Sequence, residues 1–507
     1  MKLLILVLIT LASLAFAEMN VSFELVSSNL SLHLSGCRRY MISFDDFSTV
    51  TSLKNVTIPW KRGLSATVTI LGYTDDSTEM KQIFVNGNED LPPKLFVTFP
   101  QYLDLEEPSF IISSKDDWDV PRIKVLVDSK ESKEMDPFFL EDGEHVLEVV
   151  AVDSSGNVTR EKKTFIVDAS PPDEPSVSYK DAEYFLSNST SYALYINENK
   201  LKRVDIVEKR EPGMLLFRED EAGNRSFPVV VKPPFVHLNP VTSKTPITSV
   251  PFNMILLSTY SPYNIMTKVF IPEGKRVILE KGTVLNILGS GELVVSGIFS
   301  DLEGSIVIKG QGKLLLQNGA NFYLENSTIT CFFDTTSARL LYLSNVSLYQ
   351  EVLNLQNADV VVIENMRVKE IHLKNVKRLY LRNVEAENLM AEDVLIGDVR
   401  DSTFTAMNVE SFSDITFRNL RTKEIKITGL SKSMILNSFI EKLDISKASS
   451  VRIRGCKVLK VSLEYFSMLE SAFSNLVKIS LKNSGMVLKE TNVSGMSKDE
   501  FSFVERR

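Results

Sequence analysis

Two kinds of side chain recur in this chain at a spacing that could gather them for chemistry. Glu392 and Glu410 lie 18 residues apart, and Glu370 and Glu424 share one phase at three such steps. Carboxylates about 5 Å apart are what retaining glycoside hydrolysis needs, one as nucleophile and one as acid. A second series is basic: Arg382, Arg400, Arg418 and Arg454, broken by Leu436. Guanidinium groups hold carboxylates and phosphates bidentately, so the column is a candidate polyanion-binding stripe. Asp398, Asp414 and Glu385 are close in sequence, so mutual pairing on a charged face is the competing reading. No Asp-rich triplet or aromatic subsite flanks the glutamates, which therefore read as a solvated face. His33, His145, His237 and His372 are scattered, without a zinc-binding pair, a nucleophile elbow or a phosphate loop. The expectation is a chain with no catalytic residue, metal ligand or cofactor.

The elements that would position such residues are legible. Leu353-Asn-Leu-Gln-Asn357, Ile371-His-Leu-Lys-Asn375, Ile425-Lys-Ile-Thr-Gly429, Leu443-Asp-Ile-Ser-Lys447 and Ile479-Ser-Leu-Lys-Asn483 share one phase of 18 residues. A second apolar pair follows eight residues on, as in Val361/Ile363, Leu379/Leu381, Ile415/Phe417 and Val451/Ile453. A third apolar position follows at Val368, Ala386, Phe404, Ile440 and Val458. Alternation within each segment puts one face in and one out, so the repeat predicts three short strands per turn of a stacked coil. Between the second and third strands runs a turn ladder: Asn326, Asn345, Asn365, Asn383, Asp401, Asn419, Asn437, Gly455, Asn475 and Asn492. Asn, Asp and Gly tolerate a left-handed backbone best, and stacked amides can hydrogen-bond from coil to coil.

Other repeats fit less well. A leucine-rich repeat has a longer period and a different Leu-to-Asn gap. A left-handed helix wants an apolar residue every sixth position, where Arg367 and Glu385 stand instead. Upstream, Val269-Phe-Ile-Pro-Glu-Gly274, Arg276–Gly282, Val284–Leu288, Gly291–Gly297 and Gly304–Gly310 are short strands punctuated by glycine. This opening resembles the first coils of right-handed parallel β-helices of exported bacterial proteins, the pectin-lyase-like solenoids. That resemblance implies about twelve coils over 266–497, and a polysaccharide lyase or glycoside hydrolase as one possible activity. Cys331 and Cys456 would then sit seven coils apart, roughly 33 Å, far too distant to bridge.

The first half is marked by Pro92-Pro93, Pro171-Pro172 and Pro233-Pro234, pairs that cannot continue a sheet and stiffen the chain. Between them lie short strands with turns of Gly and Asn, the pattern of β-sandwiches. The run Asp142-Gly-Glu-His-Val-Leu-Glu-Val-Val-Ala-Val-Asp-Ser-Ser-Gly-Asn157 resembles the hairpin of bacterial Ig-like modules, and Asp220-Glu-Ala-Gly-Asn224 repeats its turn. These turns have too few oxygen ligands for a calcium loop. The fold expected is all-β, with modules over 18–91, 92–170 and 171–232, a Pro-rich linker and cap over 233–265, the solenoid, and a tail over 498–507. Residues 1–17, with Lys2, an apolar stretch and Ala15-Phe16-Ala17, read as a secretory signal peptide. A formal net charge of −8 disfavours nucleic acid, and no later run is long enough to span a membrane. The expectation is an exported, cell-surface or periplasmic protein of structural, adhesive or glycan-binding role, its partner a polysaccharide or envelope component.

Overall fold

A computed structural model of the chain describes residues 19–26, 29–60, 64–75, 77–86, 92–106, 110–116, 120–131, 136–154, 156–180, 183–187, 191–196, 200–204, 206–207, 214–233 and 237–506. The signal-peptide reading of residues 1–17 lies outside them. The structure is all-β and divides into two compact units: Met1–Pro137 with Glu141–Asp168, and Phe138–Leu140 with Ala169–Arg507. Among the described residues no helix is long and apolar enough to cross a membrane.

The first unit holds two pairs of small sheets. Asn20–Val26, Asn29–Ser35 and Asn55–Pro59 form an antiparallel sheet, and Arg39–Phe44, Phe47–Thr51, Ala66–Tyr73 and Thr78–Val85 form another. Leu30, Leu32 and Leu34 alternate inward from the first, with Tyr40, Ile42, Val68 and Ile70 from the second, and together they make one core. The next pair is dominated by the hairpin of Gly143–Val152 and Val158–Val167. Its turn is closed by Asp153: one carboxylate oxygen accepts the Asn157 backbone N–H at 2.8 Å, the other the Asn157 side-chain amide at 2.9 Å. Asp220 and Asn224 repeat the arrangement at 2.9 and 3.1 Å. In both turns the aspartate's two oxygens are committed to the backbone reversal.

The second unit opens with a third pair of sheets, Ser176–Lys180, Glu183–Ser187 and Ile206–Val207, then Lys200–Val204, Ser191–Tyr195, Met214–Arg218 and Val229–Val231. From Asn239 onward the chain is a parallel β-solenoid of about 15 turns. The expected twelve is therefore too few. Parallel pairing begins at Asn239–Val241, inside the stretch read as linker, and Phe503–Arg506 still pairs at the far end. Prolines did not exclude these strands because each is only three or four residues long. The early turns also advance by 22 or 23 residues (Ile255, Ile278, Ser300, Tyr323), off the 18-residue phase.

Three sheets wrap the core. Sheet 1 stacks Met254–Leu256, Arg276–Leu279, Ile298–Asp301, Ala320–Glu325 and Ala338–Ser344, and continues through Asp414–Arg418 and Ser450–Arg454 to Phe503–Arg506. Sheet 2 begins with Tyr263–Ile265 and Val284–Ile287, and sheet 3 with Lys268–Ile271 and Glu292–Val295. From Thr403 sheets 2 and 3 run as one bent strand per turn, such as Thr403–Glu410, Arg421–Ile427 and Phe439–Ile445. Turns pack closely where glycines stand: a Cβ at Gly310 would lie 2.0 Å from the Ile287 carbonyl oxygen. One apolar core runs unbroken from Val250 to Leu488, with Phe299 and Phe322 stacked at 5.2 Å.

Candidate functional site

Two corners per turn set which side chains face outward. At the first, between sheets 1 and 2, Asn326, Asn345, Asn365, Asn383, Asp401, Asn419, Asn437 and Gly455 all have φ between 46° and 65°. Asn345 donates its amide to Asn326 Oδ1 at 2.7 Å, Asn383 to Asn365 Oδ1 at 2.7 Å, and Asn419 to Asp401 Oδ1 at 2.8 Å. The column leaves the predicted series at its end. The step of 18 and then 17 carries the left-handed corner to Phe473 and Glu490. Asn475 and Asn492 instead begin strands two residues later, in register with Lys457, though their amides still stack at 3.1 Å.

From Ser327 to Ser474 the residue after this corner is buried, and it is apolar, serine or cysteine. Ser402, Ser438 and Ser474 each donate to the carbonyl two residues back and accept the N–H of the turn before, at 2.7 to 3.1 Å. Cys456 fills the same place, its thiol within 3.4 Å of the Arg454 carbonyl. Burial pushes that thiol up to about 12 and Cys331 up to about 11. All three cysteines are free.

The arginine column lies on the outer face of sheet 1. That face is apolar in its middle turns: Tyr323, Leu340, Tyr342, Val360, Val362 and Tyr380 are buried beneath Leu194, Ile196, Leu215, Phe217 and Phe227 of the third sandwich. Each guanidinium engages its own chain. Arg382 contacts Glu364 and Glu174 and lies over the Phe227 ring at 4.4 Å. Arg400 is bidentate to Asp398, as the pairing reading expected, and donates to the Arg225 carbonyl at 3.0 Å. Arg418 donates to the Ala169 carbonyl at 3.0 Å, and Arg454 to that of Phe138 at 3.2 Å. Burial, then the charge of Glu325, push the Glu364 carboxyl up to about 7, an effect the touching Arg382 opposes. Lys232 completes the seam with bonds to buried Asp301 at 2.9 Å and to Glu325 at 3.0 Å. The signal for this burial is Val360-Val-Val-Ile363, an uninterrupted apolar run of the kind a strand shows when both faces are covered.

The outer face of sheets 2 and 3 is polar and indented along several turns. One depression of about 220 Å³ is lined by His372, Lys374, Glu392, Asn408 and Glu410 among others. Glu392 and Glu410 are in register on adjacent strands. Both are held: Lys374 Nζ reaches the two Glu392 oxygens at 2.9 and 3.0 Å, and the Asn408 amide donates to Glu410 at 2.5 Å. Glu370 and Glu424 lie where sheets 2 and 3 meet, around a second depression of about 190 Å³. A larger one of about 580 Å³ follows over the next turns, where Asn408, Thr428, Ser446 and Ser462 both donate and accept. Among the described residues no group of three or more His, Cys, Asp or Glu could hold a metal ion.

The second corner, between sheets 3 and 1, was not singled out by the sequence. Asn357, Asn375 and Asp393 turn it singly, then four turns use two left-handed residues each: Ser411-Phe412, Gly429-Leu430, Lys447-Ala448 and Tyr465-Phe466. Phe412 is 68% exposed, Leu430 54% and Phe466 75%. The signal is present: an apolar residue recurs every 18 positions just before Ser413, Ser431, Ser449 and Ser467, the serines that hold the corner.

No family model matches the chain, and no curated protein is similar to it. Several solved structures are similar in part, among them the following two. The fibronectin(III)-like modules of Clostridium thermocellum CbhA share 12% identity over 30% of this chain and 95% of theirs, with a TM-score of 0.15. A structure from a 1.5-MDa bacterial ice-binding adhesin, concerned with host cell surface retention, shares 9% identity over 41% of this chain and 95% of its own, with a TM-score of 0.18. At these scores neither carries an argument about this chain's role.

Proposed function

We propose that the protein is an exported, non-catalytic surface or periplasmic component that binds an envelope or extracellular glycan, its sandwiches acting as spacers and its solenoid as the binding rod. The observation that carries this reading is the open face of sheets 2 and 3: several turns of hydrogen-bonding side chains, with Glu370, Glu392, Glu410, Glu424 and Asp444 each accepting a hydrogen bond from a neighbour. Glu392, held by both oxygens on Lys374, is poorly placed to attack a sugar or pass a proton, which favours binding over hydrolysis. Export rests on the leader reading of residues 1–17. The Ig-like kinship of the modules and the right-handed winding belong to the same reading. Arg382 and Arg400 lie against the third sandwich, Arg418 and Arg454 bond the carbonyls of Ala169 and Phe138, and the column is given no ligand.

The purified chain is expected to be retained by at least one polysaccharide in affinity electrophoresis and to release no reducing sugar from it. Release of sugar from pectin or alginate, lost in Glu410→Gln, would replace this reading with a carbohydrate-active enzyme. That enzyme is the runner-up because Glu392 and Glu410 do share adjacent strands.

A further inference from the structure

The second corner departs from what its backbone asks for. Two successive residues with φ near 60° suit Asn and Gly, and the first corner is built from Asn, Asp and Gly as far as Gly455. Here the second place holds Phe412, Leu430, Ala448 and Phe466 on successive turns, with φ of 60°, 63°, 59° and 62°. A left-handed backbone is unfavourable for a side-chain-bearing residue, and strain of this kind collects where function maintains it. Their backbone N–H groups need no particular side chain, since each donates to the corner carbonyl of the following turn at 2.7 to 3.1 Å. The large apolar groups are nonetheless exposed. They form a ridge with one gap, at Ala448, flanked by Leu430 and Phe466 about 10 Å apart.

The depression of about 580 Å³ on the open face centres on the turn of Ala448 and reaches its corner at Lys447. Six charged side chains line it, the carboxylates of Glu410, Asp444 and Glu464 and the ammonium groups of Lys426, Lys442 and Lys447. Equal numbers of each sign, with Lys442 bonded to Asp444 at 2.5 Å, favour neither a polyanion nor a polycation. The rest of the lining is the amide of Asn408, the hydroxyls of Thr428, Ser446 and Ser462, and Ile445. A ligand matching it is uncharged, rich in groups that both donate and accept, and apolar on the side toward the ridge. A neutral sugar chain has that chemistry: its hydroxyls meet the polar floor and its C–H face meets Phe466 and Leu430. Resting on the glycan-binding reading above, we infer that the notch at Ala448 is a binding site for a neutral polysaccharide, with Leu430 and Phe466 as its walls.

Affinity electrophoresis of the full chain in gels containing neutral polymers (glucan, mannan, galactan) or acidic ones (alginate, polygalacturonate) tests this. Retention by a neutral polymer is expected. Phe466→Asn should weaken it about tenfold while keeping or raising Tm, because Asn relieves the left-handed strain. Ala448→Phe, which fills the gap with a side chain the neighbouring turns already carry, should abolish retention. Neutral-polymer binding unchanged in both variants would overturn the notch and leave the broader glycan reading standing. Retention by acidic polymers alone would do the same. No retention by any polymer would remove both, and self-association lost in Phe466→Asn would assign the ridge to a second copy of the chain.

Discussion

At the scale of single residues, the corners of the solenoid decide more than the strands do. Asn383 satisfies two demands at once, a φ of 51° and an amide bond to Asn365 at 2.7 Å. Leucine there would lose a hydrogen bond worth about 1 kcal/mol and add about 1–2 kcal/mol of backbone strain. Asn383→Leu is therefore expected to lower stability by about 2–3 kcal/mol, with Asn383→Gly milder; an unchanged denaturation midpoint would show that the ladder does not stabilise the coil. Cys456 sits where other turns place Ser402, Ser438 and Ser474, so Cys456→Ser should change stability by less than about 1 kcal/mol. Its neutral thiol favours the fold: that contribution is complete below pH 9, the ordinary thiol value, and is lost as pH climbs from 9 to about 12. Wild type should thus lose stability across that window more steeply than Cys456→Ser, and parallel pH–Tm curves would contradict the burial argument.

Among elements, the outer face of sheet 1 behaves unlike that of sheets 2 and 3, although the inward pattern is the same. Its middle turns carry Tyr342, Val362 and Tyr380 outward, and the third sandwich covers them. Lys232 joins the two by bonding to Asp301, which has no exposed surface. Removing one partner of such a pair strands the other charge, at a cost of about 3–5 kcal/mol. Lys232→Met is expected to destabilise by about that much and to speed amide exchange in Ile298–Asp301, whereas adding Asp301→Asn should restore a good part of the loss. A double variant no more stable than Lys232→Met alone would show the pair to be a bystander. Arg382 and Arg400 belong to this seam, and each arginine of the column has its own carboxylate, carbonyl or ring within the unit, which explains why like charges are stacked there.

For the molecule as a whole, the consequential division falls between Asp168 and Ala169, not at the Pro233 pair that separates sandwich-like sequence from solenoid-like sequence. A chain beginning at Ala169 is expected to be monomeric, because the middle turns of sheet 1 stay covered and it uncovers only Ala472 and Val487, where Phe138 and Phe139 pack. One beginning at Asn239 would expose Tyr323, Tyr342, Val360, Val362 and Tyr380 as a patch of the size that drives association. Light scattering on the two truncations distinguishes them, and a monodisperse shorter chain would count against the seam. The prolines mislead for a physical reason: a Pro pair ends a sheet, but that sheet can still pack its face on strands that come later in the chain.

The 18-residue phase, the inward strand positions and most of the Asn corner were legible because they depend on local alternation and on which residues accept a left-handed φ. Those are properties of each segment by itself. The early turns escaped that phase because their 22- and 23-residue steps close the same coil with longer corners. Phe473 and Glu490 escaped because nothing in a Phe or a Glu announces a left-handed backbone; stacking on the turns below imposes it. Likewise no single segment says that the arginines meet carbonyls and carboxylates more than a hundred residues away in sequence, or that Ala448 leaves a gap between Leu430 and Phe466. The sequence by itself determined a stacked all-β rod with sandwiches before it. Only the tertiary structure decided which face of that rod is covered and which stays open, because coverage depends on where distant segments pack and leaves little trace in the period of either.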